Sequence, residues 1–253
     1  MKKTLIALLA LSGVASAATL AKIDTSDANL KSYVNFSGDS FTTTAGSITY
    51  NNAPIVQDGY GIVSATDSHN TSSTENPGFK TNAFTLSFDV RSFDVGSLVS
   101  VCVDNGAAWK HIRLESTTDK ALTLKFEGPS PVREVATTLT PGTRTEWTTI
   151  TIVGDDSVTA GIKLYVEGSH VGSLDMTGAS NWNDTNVKAF QFGSVYSPYD
   201  FPKLTGNAEI DNLLVYNRAF TAAEVKALTI PEPTTATLSL LALAGLAVRR
   251  RRK

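Results

Sequence analysis

From Phe84 to Tyr216 the chain repeatedly alternates apolar and polar residues with a period of two. Phe84, Leu86, Phe88 and Val90 share one side, while Thr85, Ser87 and Asp89 share the other. Successive strand residues point to opposite faces, whereas a helix repeats every 3.6 residues, so the pattern restricts this segment to half-buried strands. Leu122, Leu124 and Phe126 repeat it, as do Ile150 with Ile152 and then Ile162, Leu164 and Val166. Glu167-Gly168 follows as a tight turn, and Val171 to Leu174 returns, which predicts a hairpin. Phe190 with Phe192 and Leu213 with Val215 give two more strands. One helix closes the series: Thr221 and Glu224, three apart, form a capping box ahead of Val225 and Leu228. Loops rich in Ser, Thr, Asn, Gly and Pro separate the strands, the longest from Ser64 to Asn82, with others from Gly128 to Glu146 and Ser194 to Gly206. Short strands at this spacing without intervening helices predict an all-β sandwich or barrel.

The two ends differ from this body. Lys2 and Lys3 precede the apolar run Leu5 to Leu11, and Ala15-Ser16-Ala17 supplies small residues for cleavage. That is the pattern of a secretory signal peptide over residues 1–17, read by secretion machinery and signal peptidase. At the other end Pro231-Glu232-Pro233 leads into an apolar stretch and then Arg249, Arg250, Arg251, Arg252 and Lys253. The apolar part is about fifteen residues, roughly 22 Å as a helix, against about 30 Å for a bilayer core. It is a marginal span, and the basic cluster favours the cytoplasmic side. Residues 230–253 resemble the PEP-CTERM sorting tail of Gram-negative bacteria. The resemblance implies an exosortase partner, membrane contact before processing, and display at the cell envelope, outer surface or extracellular matrix. An ordinary membrane anchor is the other reading of the tail.

Charge sharpens the picture of residues 18–229. Seven of the 22 basic residues stand in the two ends, so residues 18–233 keep 15 against all 24 acidic ones, about −9. Such a surface repels phosphate backbones and excludes nucleic acid as the expected partner. Cys102 is the single cysteine, so no intrachain disulfide forms. It lies in the strand-like run Leu98 to Val103, which predicts a buried apolar thiol.

The order of motifs from residue 84 onward is familiar. Phe84-Thr85-Leu86-Ser87-Phe88-Asp89-Val90-Arg91 comes first, then a strand near Val101. Thr140-Pro141-Gly142-Thr143 leads to Trp147, Ile162-Lys163-Leu164-Tyr165-Val166-Glu167-Gly168 follows, and Ile210-Asp211-Asn212-Leu213-Leu214-Val215-Tyr216-Asn217-Arg218-Ala219-Phe220 ends it. This is similar to the LamG-like, concanavalin A-like jelly-roll superfamily, most clearly over residues 84–228. The resemblance implies a two-sheet antiparallel sandwich of a dozen or more strands with one short C-terminal helix. It also implies that ligands and calcium, where present, bind at rim loops or on the concave sheet. Many relatives carry Asp-Gly where this chain has Glu167-Gly168, which predicts a somewhat different turn, since Glu is a poor residue for positive φ.

Candidate chemistry is sparse. Glu209-Ile210-Asp211 places two carboxylates on one side of a strand, as concanavalin-like glycoside hydrolases do, but the positions for a second Glu hold Leu213 and Leu214. The acid/base partner that glycoside hydrolysis needs is missing, so no catalytic residue is assigned and the chain reads as a non-enzyme. Asp211 shares strand parity with Leu213 and Val215, so an inward face would require its carboxylate to be hydrogen-bonded. His69, His111 and His170 lack zinc spacing. Asp155 and Asp156 are the candidate oxygen ligands for a calcium ion. Sugar-binding modules stack rings on aromatics and meet hydroxyls with Asn and Asp. Two loops offer that mixture: Trp182, Asn183 and Asp184, and Tyr196, Tyr199 and Asp200. The expected function is a non-catalytic module binding a polysaccharide, either the cell's own or an external one. A structural matrix protein without a sugar ligand, and a concanavalin-fold hydrolase or lyase, are the alternatives.

Overall fold

The computed structural model describes residues 23–36, 45–46, 48, 50–51, 55–64, 69–71, 80, 82–104, 109–117, 121–127, 132–142, 146–175, 187, 189–193 and 202–229. Their strands, numbered in chain order, form two antiparallel sheets. The nine-stranded sheet runs β14 (Ser169–Leu174), β13 (Ile162–Val166), β12 (Thr148–Asp155), β7 (Ala83–Phe93), β16 (Asn207–Tyr216), β1 (Leu30–Val34) and β2 (Ala45–Gly46). Within it β5 (Tyr60–Ser64) also pairs with β16, and β4 (Ile55–Gln57) pairs with β5. The seven-stranded sheet runs β11 (Arg133–Ala136), β10 (Thr123–Glu127), β9 (Trp109–Ser116), β8 (Gly96–Asp104), β15 (Ala189–Phe192), β6 (His69–Thr71) and β3 (Tyr50–Asn51).

The alternating apolar residues meet between the sheets. Phe84, Leu86, Phe88, Val90, Ile150, Ile152, Ile162 and Leu164 come from the larger sheet, and Ile112, Leu114, Leu124, Phe126, Phe190 and Phe192 from the smaller. Burying a side chain of this size contributes about 1.5–3 kcal/mol, so this layer dominates folding. Two of the predicted long loops carry strands of their own, β6 within Ser64–Asn82 and β11 within Gly128–Glu146. Both are edge or near-edge strands of three or four residues, too short to show a period.

A second apolar cluster lies on the outward face of the nine-stranded sheet. Tyr33, Val153, Tyr165, Leu214 and Tyr216 pack there with Phe220 and Val225. The helix α1 (Ala222–Leu228) brings Val225 onto this part of the face, which is why aromatic and aliphatic residues stand beneath it. Seven residues make too short a helix to stand alone, so the cap matters. Thr221 Oγ1 accepts from Glu224 N at 3.3 Å, and Glu224 Oε2 accepts from Thr221 N at 2.8 Å, completing the predicted capping box. Arg218 donates to Glu224 Oε1 at 2.7 Å and lies over the Phe220 ring at 4.2 Å. Thr221→Ala is expected to lower the unfolding free energy by about 1 kcal/mol in equilibrium denaturation; an unchanged midpoint would remove the cap from this account.

Two sequence expectations are corrected. The hairpin between β13 and β14 keeps positive φ at both turn residues, 50° at Glu167 and 68° at Gly168, the signature of a type I′ turn rather than a different one. Glu167 tolerates the position because its Oε1 accepts from Thr149 N at 2.5 Å. The strand parity of Asp211 is broken by a bulge. Between the pairs Asp211–Asp89 and Leu214–Ser87, β16 has two residues where β7 has one, and Asn212 there has φ 48°. Leu213 and Val215 enter the core as expected, whereas Asp211 stands opposite Asp89 on the outward face.

Candidate functional site

The outward face of the seven-stranded sheet carries one polar residue from each of β11, β10, β9, β8 and β15 in a single register row, and the backbone register continues it to Asn70 of β6 and Asn51 of β3. The pairs run Glu134–Lys125, Lys125–Arg113, Arg113–Ser100, Ser100–Gln191, Gln191–Asn70 and Asn70–Asn51, crossing from β11 to β3. Directly paired strand residues share a face, and the core side of the same strands is held by Leu124, Phe126, Ile112, Leu114, Phe190 and Phe192. A second row runs Glu127–His111–Cys102–Ala189, and a third Thr123–Glu115–Ser97.

Ion pairs tie these rows together. Arg113 Nη2 donates to Glu127 Oε1 at 2.5 Å, and its Nε lies 3.6 Å from Glu115 Oε2. Lys125 Nζ reaches Glu115 Oε1 at 2.8 Å and Glu134 Oε2 at 4.0 Å. Ser97 Oγ stands 3.5 Å from Glu115 Oε2. The centre is closed from solvent: Arg113, Glu115, His111 and Gln191 are 1–4% exposed, whereas the Lys125 and Glu127 side chains keep about a quarter of their surface. Burial, and then the Arg113 charge, push the His111 imidazole down to about 4, so it is neutral from mildly acidic pH upward. No partner among the described residues reaches Gln191 Oε1. The arrangement is a pre-organised set of fixed donors and acceptors, with both cations already neutralised. It suits a neutral polyhydroxyl ligand better than a strongly charged one.

None of the predicted site residues is among those of the polar row. Trp182, Asn183, Asp184, Tyr196, Tyr199 and Asp200 lie outside the described residues, as do Ala15, Ala17, Pro231, Glu232, Pro233 and Arg249 to Arg252. Asp155 ends β12, and its Oδ1 accepts from the backbone and hydroxyl of Ser157 at 3.1 and 2.5 Å. Asp156 donates its backbone N–H to Asn82 O. Among the described residues no group of three or more His, Cys, Asp or Glu is gathered to hold a metal ion, and no helix is long and apolar enough to cross a membrane. Cys102 is fully buried, opposite His111 across β8 and β9. Glu209 pairs with Arg91 at 2.7 Å, and the Arg91 guanidinium lies over Tyr60 and Trp147 at 4.7 and 4.8 Å. Trp147 therefore packs against Tyr60 and Arg91.

The polar row was missed. Its signal is the set His111, Arg113, Glu115 and Thr123, Lys125, Glu127, each alternating with core residues. The pattern names a polar face, but only the register of separate strands assembles it.

An antiparallel two-sheet jelly roll with a polar outward sheet defines a concanavalin A-like class of domain. The chain belongs to the concanavalin A-like lectin/glucanases superfamily through its Laminin_G_3 family model, which matches residues 64–226. Among solved structures it is similar to the binding domain of Paraclostridial Mosquitocidal Protein 1, at 17% identity and TM-score 0.54, covering 79% of this chain and 52% of that one. It is similar to domain 4 of AbnA, a GH43 extracellular arabinanase from Geobacillus stearothermophilus in complex with arabinotriose. There the identity is 17% and the TM-score 0.52, over 80% of this chain and 98% of that one. The Trypanosoma rangeli sialidase, in complex with 2,3-difluorosialic acid, matches at 15% identity and TM-score 0.59, over 82% of this chain and 33% of that one. The chain thus spans about half the length of the mosquitocidal binding domain and a third of the sialidase. At these identities the likeness is one of fold, and that fold is shared by binding domains and enzymes alike. No curated protein sequence matches the chain.

Proposed function

We propose that this chain is an exported, non-catalytic glycan-binding module, sorted to the cell envelope by its C-terminal tail. The observation that carries the reading is the polar row across β11, β10, β9, β8 and β15 of one sheet. Lys125, Glu127 and Glu134 form its accessible side, and the buried Arg113–Glu115 pair beneath holds them in place. The aromatic and polar residues Trp182, Asn183, Asp184, Tyr196, Tyr199 and Asp200 are the rim contacts of this reading. The arabinanase domain similar to this chain, in complex with arabinotriose, supports a saccharide as the ligand class. Against catalysis stands Asp211, 2% exposed and facing away from the polar row, with its Oδ1 accepting from Asn212 N.

A glycan array probed with the folded protein tests the binding. Retention on at least one oligosaccharide is expected, weakened about tenfold or more by Trp182→Ala or by Glu127→Ala. No retention on any glycan, or retention untouched by both changes, overturns the site. The sorting part predicts, by intact mass, a protein lacking residues after about Pro233 in the envelope or secreted fraction. An uncut tail in both fractions favours a plain anchor. The burial of His111, Arg113 and Glu115 favours a second reading, a structural surface protein whose sheet packs against neighbours. That reading predicts self-association without sugar affinity.

A further inference from the structure

The outward face of the nine-stranded sheet holds a second polar group, on the opposite side of the sandwich from the proposed glycan face. Asp89 of β7 and Asp211 of β16 are directly paired residues, so their Cβ atoms stand about 5 Å apart on one face. Asn212 clamps both carboxylates: its backbone N–H donates to Asp211 Oδ1 at 2.7 Å, and its side-chain amide to Asp89 Oδ2 at 2.8 Å. The left-handed backbone at Asn212, φ 48°, aims both donors this way. Thr149 Oγ1 donates to Asp89 Oδ1 at 2.6 Å, and the Thr149 N–H goes to Glu167. A continuous polar ladder therefore links β16, β7, β12 and the turn after β13. Asp211 is 2% exposed.

Charge balance makes this pair unusual. The charged and titratable groups on the elements packed around it are Glu209 and Arg91, Glu167, Tyr33, Lys31, and on the helix side Arg218, Glu224 and Lys226. Arg91 is committed to Glu209, Arg218 to Asp27 and Glu224, and Lys31 donates to Ala28 O. Glu167 receives Thr149 N. No described cation is bonded to either aspartate. Two opposed carboxylates, Asp211 buried and Asp89 half-buried, cannot both ionise cheaply without a counter-charge.

We propose that the Asp89–Asp211 pair retains one proton, making the β7–β16 junction a pH-sensitive element that is firm in mildly acidic surroundings and weakened in alkaline ones. Burial first, and then the Asp89 charge, carry the Asp211 carboxyl up to about 7 against the opposing Asn212 bond, and burial raises Asp89 as well. A carboxyl raised in the folded state binds its proton more tightly there than in the unfolded chain. Its stabilising contribution is present in full near pH 4, is lost as pH rises towards 7, and is absent above. This is opposite in direction to the usual salt-bridged aspartate.

Thermal unfolding of the purified protein from about pH 5 to about pH 8.5 tests the pair. The wild-type midpoint is expected to fall as pH rises. Asp211→Asn, which keeps an oxygen acceptor for Asn212 N–H, is expected to flatten that fall and to unfold at a higher temperature than wild type at the alkaline end. Glu209→Gln, outside the pair, keeps the wild-type slope. A flat wild-type profile, or a slope undiminished in Asp211→Asn, overturns the proposal. Infrared difference spectroscopy of the wild type supplies a reading independent of variant folding. A protonated-carboxyl C=O band persisting at pH 6, where ordinary carboxylates are ionised, is expected, and its absence overturns the retained proton.

Discussion

Replacing Phe88 with alanine is expected to lower the unfolding free energy by about 3–5 kcal/mol, the range for a buried phenylalanine whose cavity does not collapse. Phe88 is fully buried on β7, and its ring meets Phe192 of the opposite sheet edge-on, with centroids 5.5 Å apart at 90°. Phe192 in turn meets Phe190 at 5.2 Å, and Phe190 meets Tyr50 at 6.5 Å. The rings form a continuous edge-to-face chain from the centre of one sheet to the far edge of the other. Aromatic pairs in this geometry add about 0.5–1.5 kcal/mol beyond the area they bury. A double-mutant cycle between Phe88 and Phe192 in urea should recover that coupling. A loss below about 1 kcal/mol for Phe88→Ala would mean that the sheets are not held together by this layer.

Glu115→Ala is the second large effect, also about 3–5 kcal/mol, for an electrostatic reason. Glu115 is 3% exposed and serves Lys125 at 2.8 Å and Arg113 at 3.6 Å. Its removal takes one carboxylate from Arg113, equally buried and still bonded to Glu127, and leaves Lys125 facing Glu134 at 4.0 Å. A buried pair adds little over apolar residues of the same shape, yet breaking one side of it strands a desolvated charge. The double variant Arg113→Met with Glu115→Leu is therefore expected to recover most of the stability that Glu115→Ala loses, while weakening glycan retention. Equal losses in the single and double variants would contradict this account of the face.

These two residues also mark what the sequence makes legible. Phe88 stands in a run of eight alternating residues, and a period that long identifies a strand and its core side without any partner. The capping box at Thr221 and the hairpin at Glu167-Gly168 are equally local. β2, β3, β4 and β6 are two or three residues long, less than two full periods, so the long range and not the local pattern creates them. Asp211 was misplaced because one extra residue at Asn212 inverts strand parity, and a bulge leaves no compositional trace beyond an asparagine. The polar row needed the register of β8, β9, β10 and β15, which pairs residues as distant in sequence as Ser100 and Gln191. Glu115 carries no signal in the sequence that separates it from an ordinary solvent-facing glutamate. Only the sheet's covered face gives it weight.

The most direct test of the glycan-binding claim is amide chemical-shift mapping of the isotopically labelled protein, titrated with the oligosaccharide best retained on the array. The account predicts saturable shifts concentrated on β8, β9, β10 and β15 around Arg113, Lys125, Glu127 and Gln191, together with the rim residues near Trp182 and Tyr199. Shifts confined to the nine-stranded sheet, or no shifts with any retained glycan, would contradict it.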